Sequence, residues 1–205
     1  MPERQVDAKV PPGARCDFRA ASVFALIREK LPLVAADKWR QANGAPSCPA
    51  AVLLALREER GNVELILTRR AKNLLVHAGQ IAFPGGRIEP RDGTPLAAAL
   101  REAEEEIGLD PAIVEALGYL EPYPTRTGFR IIPVVAKLTA LPVYLPNPRE
   151  VEEVFTVPFA FLMDGANHFR HEKDNRQFYS MPYLRWNIWG VTAGILRNLY
   201  ERLYV

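Results

Sequence analysis

Gly85-Gly86-Arg87-Ile88-Glu89-Pro90-Arg91-Asp92, followed by Arg101-Glu102-Ala103-Glu104-Glu105-Glu106-Ile107-Gly108-Leu109, is the stretch on which the reading of this chain turns. A double glycine leads into a segment with four glutamates in five positions. Glu102, Glu105 and Glu106 fall at i, i+3 and i+4, so on a helix they share one face. Carboxylates that close repel one another unless a cation sits among them. Hard oxygen donors gathered this way suit Mg²⁺ or Mn²⁺. Glycine lets a ligand approach the backbone closely, so a carbonyl at Gly86 can complete such a shell. A metal-dependent reaction on a phosphate-bearing substrate is the first functional expectation.

The flanking residues predict that this segment is a helix. Thr94-Pro95 supplies an N-cap threonine and a proline at the first helical position. Leu96, Leu100, Ala103 and Ile107 form an apolar stripe, and Gly108 is a suitable stop. A glutamate-rich helix is usually a solvated face. Here the apolar stripe lies opposite the glutamates, so the helix is packed and oriented. Glu105 and Glu106 are consecutive, with no lysine four residues on to relieve them. Arg101 is placed to pair with Asp92 and hold the glutamates in position.

Working outward, Phe18–Leu31 carries a helical stripe of Val23, Phe24, Ile27 and Leu31, ended by Pro32. Residues 1–16 read as a flexible arm, and Ala35–Pro49 as a linker. Ala50–Leu56 and Val63–Thr68 read as two strands of a hairpin turning at Glu58–Asn62. Gln80–Phe83 is a short strand running into Pro84-Gly85-Gly86. Further strands are expected at Gly118–Glu121, Arg130–Leu138 and Val151–Val157, then two between His168 and Tyr183. A helical turn at Pro158–Met163 and a helix at Trp189–Leu203 complete the count. Phe83 reads as core; Phe178, Tyr179, Trp186 and Trp189 read as core or interface. Strands mixed with helices argue for an α+β chain, an α/β/α sandwich with a mixed β-sheet flanked by helices.

Composition sets outer limits. The chain has 205 residues, 48% hydrophobic and 24% charged, with formal net charge +2. That charge gives no reason to expect nucleic acid or an anionic membrane as partner. No apolar run approaches the roughly 18 residues that span a bilayer. Cys16 and Cys48 form no metal-ligand pattern. A reduced, cytoplasmic protein is the expectation.

The opening stretch resembles the Nudix box, the signature of the Nudix hydrolases. Gly86 starts it, Asp92 takes the position of the first glutamate, and Arg101 to Leu109 reproduce its second half. Two departures stand out: aspartate replaces glutamate, and eight residues rather than seven separate it from Arg101. Upstream, Leu67-Thr68-Arg69-Arg70, His77, Gly79-Gln80 and Phe83-Pro84-Gly85-Gly86 resemble the extra motif of the Nudix branch that hydrolyses coenzyme A. That branch accommodates both departures.

The resemblance implies a Nudix fold over residues 50–205, with residues 17–49 as an N-terminal helix and linker. It implies hydrolysis of the diphosphate of coenzyme A or a derivative to 3′,5′-ADP and 4′-phosphopantetheine, with Mg²⁺ or Mn²⁺. Glu102, Glu105, Glu106 and Gly86 are the implied metal ligands, and Glu102, Glu105 and Arg101 the implied catalytic residues. Arg69, Arg70, His77 and Arg126 are candidate substrate contacts. Arg69 and Arg70 read equally well as charges that end an edge strand. One of Glu150, Glu152 and Glu153 is expected to join the site. A small-molecule substrate is the expected partner, and a homodimer is compatible with the resemblance. The rival readings are a Nudix pyrophosphatase for ADP-ribose, a dinucleotide or a nucleoside triphosphate, and a non-catalytic module of the same fold.

Overall fold

The structure, a computed structural model, describes residues 5–6, 17–33, 48–173 and 176–205. Most of the expected arm, and residues 34–47 of the expected linker, lie outside these. In chain order the elements are β1 (Gln5–Val6), α1 (Ala20–Lys30), β2 (Cys48–Glu59), β3 (Asn62–Arg70), β4 (Ile81–Ala82) and β5 (Gly85–Arg87). Then come α2 (Pro95–Ile107), β6 (Val114–Tyr119), β7 (Tyr123–Pro124), β8 (Phe129–Leu138), β9 (Val151–Pro158) and α3 (Phe159–Leu162). The chain ends with β10 (Phe169–Lys173), β11 (Arg176–Tyr183), β12 (Trp186–Trp189) and α4 (Val191–Tyr204).

The main sheet is mixed. Its order is β4-β3-β2-β8-β6, with β5 on β2, β7 on β8 and β9 on β3. β2 and β8 run parallel, and the other pairs are antiparallel. Alternation along β2 explains the layers. Ala51, Leu53 and Ala55 point to one face, where Ala98, Ala99, Ala103 and Ile107 of α2 pack. Leu54 and Leu56 point to the other, against Val23, Phe24 and Ile27 of α1 and Ile195, Leu196 and Leu199 of α4. Small residues on both sides of the first interface, alanine against alanine, let α2 lie close to the sheet. Leu96 and Leu100, expected in its apolar stripe, are only half-buried at the flank.

β10 and β11 are the two strands expected between His168 and Tyr183, and β1 and β12, which were not expected, extend them into a second antiparallel sheet, β1-β10-β11-β12. Its last strand, β12, occupies residues that sequence periodicity assigned to a loop and the start of the last helix. Within the expected arm, Gln5–Val6 forms a strand paired with Phe169–Arg170. Among the described residues, no helix is long and apolar enough to cross a membrane.

Candidate active site

The site begins where β2 meets β5. Ala51 and Val52 pair with Gly86 and Gly85, which brings the double glycine against the central strand. Gly85 has φ +151°, and a Cβ there would lie 2.3 Å from the Ala51 carbonyl oxygen. Only glycine fits that backbone. At Gly86 a side chain would meet the end of another side chain rather than backbone. A Cβ on it would lie 2.4 Å from Cδ of Glu102 and 2.5 Å from both its oxygens. The Glu102 carboxylate therefore packs directly on the Gly86 backbone.

α2 is capped as the sequence predicts. Thr94 Oγ1 accepts from the Ala97 N–H at 3.1 Å, and Gly108 closes the helix at φ +67°. The Arg101–Asp92 pair also forms. Arg101 Nε donates to Asp92 Oδ1 at 2.8 Å and its Nη2 to Oδ2 at 3.1 Å. The Asp92 side chain is 3% exposed and also accepts the Glu89 N–H at 2.7 Å. The Arg101 guanidinium holds the Asp92 carboxyl below the usual carboxylate range, against the opposing effect of burial. Gly93, at φ +68°, and a bond from the Thr94 N–H to the Asp92 carbonyl turn the chain tightly into the helix. That turn accommodates the longer approach. The same guanidinium donates to Glu102 at 2.9 Å, Glu105 at 3.1 Å and the Arg87 carbonyl at 3.1 Å. One arginine thus ties the loop to two of the helix glutamates.

The three glutamates sit in different surroundings. Glu106 is 3% exposed. Its carboxylate accepts the Gly85 N–H at 3.2 Å and lies 3.9 Å from Arg70 Nη1. Burial pushes this carboxyl up to about 8, although Gly85 and Arg70 pull the other way. Burial also raises Glu102, partly offset by Arg101. Glu105 is exposed and faces Arg101 and Arg91. The structure therefore brings Glu102 and Glu106 together beside Gly86 and leaves Glu105 on the rim. Among the described residues, no three acidic, histidine or cysteine side chains converge as a ready metal cage.

Of the three late glutamates, Glu150 is the one that faces this pair. Its segment is bonded to the end of α2, with the Asn147 N–H donating to the Glu106 carbonyl at 2.9 Å and Asn147 Nδ2 donating to the Glu150 carboxylate at 3.2 Å. Its charge raises both the Glu102 and Glu106 carboxyls. Glu152 is taken by Arg69 and Lys72, and Glu153 by Arg185. The donor chemistry fits a hard divalent cation. Glu106 is a buried carboxylate with little counter-charge, and like charges from Glu102 and Glu150 surround it.

A cavity of about 410 Å³ adjoins Gly85 and Gly86. Of the expected substrate contacts, Arg70 and His77 line it. Arg70 Nε is buried with no hydrogen-bond partner among the described residues. His77 Nδ1 lies 2.9 Å from Gln80 Oε1. Arg69 is instead committed to Glu152. Arg126 is exposed, while Thr125 and Thr127 on either side of it reach the cavity. Sequence reasoning missed Arg87, whose guanidinium lies 5.3 Å from the Phe129 ring centroid on the cavity wall. It also missed the share of α4, whose Thr192 hydroxyl donates to the Ile81 carbonyl at 2.9 Å. Trp186 is packed as expected, stacked on Phe155 at 4.0 Å. Trp189 is not; it is 44% exposed on the cavity. No local sequence signal separates the two tryptophans.

The fold agrees with comparisons to known proteins. The NUDIX domain family profile matches residues 47–181. The uncharacterized Nudix hydrolase NudL of Escherichia coli K12 is 40% identical over 155 residues, covering 73% of this chain and 80% of the relative. NudL of Enterobacter sp. strain 638 is also 40% identical, over 157 residues, covering 73% of this chain and 80% of the relative. The NUDIX domain of Shewanella oneidensis NrtR, solved with ADP ribose, shares the fold with a TM-score of 0.50 at 15% identity, over 83% of this chain and 99% of that one. The chain belongs to the Nudix hydrolase family and is a pyrophosphohydrolase of that class.

Proposed function

We propose that the protein hydrolyses the diphosphate bond of coenzyme A or a close derivative, releasing 3′,5′-ADP and 4′-phosphopantetheine. The observation that carries this is the junction of Glu102 and Glu106 beside Gly86 with a cavity that is largely apolar and contains Arg70. A diphosphate at that junction meets the Glu102 and Glu106 carboxylates and, beside Glu106, the Arg70 guanidinium, whose buried Nε has no hydrogen-bond partner among the described residues. The organic part of the substrate has the cavity. The stretch Leu67 to Gly86, with its likeness to the coenzyme A branch, supplies Arg70, His77 and Gln80 to the cavity wall.

Glu102 and Glu106, with the Gly86 carbonyl, are the residues that would hold Mg²⁺ or Mn²⁺. A bound ion of this kind neutralises phosphate charge and lowers the pKa of a coordinated water. Arg101 and Asp92 act through the glutamates, keeping Glu102 against Gly86. Arg70 offers its donors to a phosphate oxygen. Glu105 and Glu150 remain as carboxylates able to accept the proton of the attacking water; both act on Glu102, and Glu150 also acts on Glu106.

A panel of coenzyme A, ADP-ribose, a dinucleotide and a nucleoside triphosphate, assayed with Mn²⁺ and read by mass spectrometry, tests the reading. Coenzyme A is expected to be cleaved fastest, between its two phosphates. Faster cleavage of ADP-ribose or the triphosphate would overturn the substrate assignment.

A further inference from the structure

The register of β3 and β9 slips at one place. Arg69 pairs with Glu153 and Arg70 with Val151, so Glu152 is the extra residue of a bulge. The slip decides which way the first residues of β9 face. In a regular strand Val151 would share a face with Phe155 and Val157. Phe155 and Val157 pack on the side of α1 and α4, but Val151 lies on the other side, with Val154 and the alanines of α2. The bulge thus turns the entry of β9 toward the helix that carries the glutamates.

Glu150, just before that entry, is held on both sides. The Glu150 and Val151 N–H groups donate to the Asn147 carbonyl at 3.0 and 2.8 Å, and the Asn147 N–H donates to the Glu106 carbonyl. From β3, the Ala71 N–H donates to the Glu150 carbonyl at 2.8 Å. The residues around Ala71 grip the bulge. Arg69 donates to both oxygens of Glu152, with its Nε 3.0 Å from Oε2, and Lys72 Nζ lies 3.3 Å from Oε1. Arg69 keeps the Glu152 carboxyl below the ordinary carboxylate range against the effect of burial, and Lys72 adds to the lowering. Arg70, between them, points instead toward Glu106, 3.9 Å away. A bulged residue has no ladder pair, so these side-chain bonds are what fasten the bend.

We infer that Arg69 and Glu152, with Lys72 as a second grip, are positioning residues that aim Glu150 at Glu102 and Glu106. They act through the bulge and the Ala71–Glu150 bond and do not touch the substrate. Their effect on turnover rests on the reading of Glu150 as a proton acceptor; the aim itself has a separate readout. That readout is amide exchange at Ala71 and Val151, followed by NMR on the full chain without metal. In Arg69→Gln both amides are expected to exchange about tenfold faster through local opening, while Leu65 and Leu67, further along β3, keep their protection. Unchanged exchange at Ala71 and Val151 would overturn the inference.

Turnover is measured with Mn²⁺ on whichever substrate of the panel is cleaved fastest. Arg69→Gln and Glu152→Gln are each expected to lower kcat about tenfold, as for residues that orient others, with KM within about twofold. The double variant is expected to lose no more than either single one. Arg69→Lys keeps the charge without the two-pronged bond and should fall between wild type and Arg69→Gln. The two side chains are 25% and 34% exposed, so Tm should hardly move. An arginine that touched the substrate would give another pattern: Arg69→Gln would raise KM, and Glu152→Gln, which frees the arginine, would not lower kcat. That pattern overturns the inference. Glu150→Gln separates the two readings. Where it has lost turnover, adding Arg69→Gln is expected to lower kcat no further, and a full additional tenfold loss overturns the positioning role. Where Glu150→Gln keeps wild-type turnover, the proton-acceptor reading falls, and amide exchange at Ala71 and Val151 decides the positioning on its own.

Discussion

The two sides of the active site are built on opposite principles. On the α2 side, Asp92, Arg101, Glu102 and Glu106 lie within fifteen residues of one another in sequence and are held by charge and hydrogen bonds. On the α4 side, Val52, Ile81, Phe129, Trp189 and Thr192 come from five separate segments and are held by packing and one hydroxyl bond. On the proposed function, the first side would perform chemistry that every diphosphate needs. The second would contact the part of the substrate that differs from one diphosphate to the next. Changes on the first side should therefore cost turnover, and changes on the second should cost discrimination.

The largest effect is expected at Glu106. Glu106→Gln keeps the shape but removes the ligand charge, and turnover with Mn²⁺ should fall by roughly 10²–10³-fold. Stability should not fall with it. The carboxylate is buried with one backbone donor and a distant arginine, so its charge opposes folding when no cation is bound. Melting in the presence of a chelator should show an equal or higher Tm for the variant. A lower Tm together with normal turnover would break the division of labour between the two sides.

That division also explains what the sequence could reveal. The helix, its Thr94 cap, its Gly108 stop and the Asp92–Arg101 pair depend on short spacings, and each is visible as a local pattern. The mixed sheet was legible because strand length and turn residues are local too. The cavity was not. Thr192 reaches Ile81 across 111 positions, and no periodicity connects them. Arg69 and Arg70 are neighbours with the same chemistry, but alternation along β3 sends one to Glu152 and the other toward Glu106. β12 was lost because Gly190, not a proline or a capping residue, separates it from α4.

Gly86 and Gly85 sharpen the comparison from the junction of the two sides. Gly86→Ala drives a methyl into the Glu102 carboxylate, a side-chain end that can move. The expected result is a loss of turnover of up to about 10²-fold from a displacement near 1 Å, with Tm nearly unchanged. Gly85→Ala meets backbone at 2.3 Å and an unfavourable φ, so it should lower Tm and damage both sides together. Activity assays paired with thermal melts separate the two variants; similar behaviour in both would sink the assignment of Gly86 to the Glu102 contact.

Asp92→Asn comes next. It removes the charge that anchors Arg101, and breaking a buried pair costs on the order of 3 kcal/mol. Arg101 retains Glu102, Glu105 and the Arg87 carbonyl, so a smaller loss is expected than for an arginine left alone. Turnover should fall about 10- to 100-fold, as for other residues that orient ligands. By contrast, Glu89→Gln disturbs only an exposed pair with Arg91 and should change Tm by less than about 1 kcal/mol allows. Denaturant unfolding of the two variants side by side checks the ordering.

The smallest effect separates the two sides by pH. Asp92 has a depressed carboxyl, so its contribution is present above its unfolded value of 3.8 and is lost as pH falls through the folded one. His168, behind α4, is fully buried, and its Nε2 lies 2.7 Å from the Leu162 carbonyl. Burial lowers its pKa from 6.5, with Arg197 adding to the shift. The folded protein therefore holds His168 neutral while the unfolded chain gains a proton below 6.5. Stability tied to this group is complete above 6.5 and declines as pH falls below it. The stability difference between wild type and His168→Gln, measured by denaturant unfolding at pH 7.5 and pH 5, should shift in favour of the variant at the lower pH. The difference between wild type and Asp92→Asn should stay constant over that interval and narrow only nearer pH 4. A flat difference for His168→Gln between pH 7.5 and 5 would mean that the layer behind α4 tolerates the charge, and that acid acts on the two sides of the site alike.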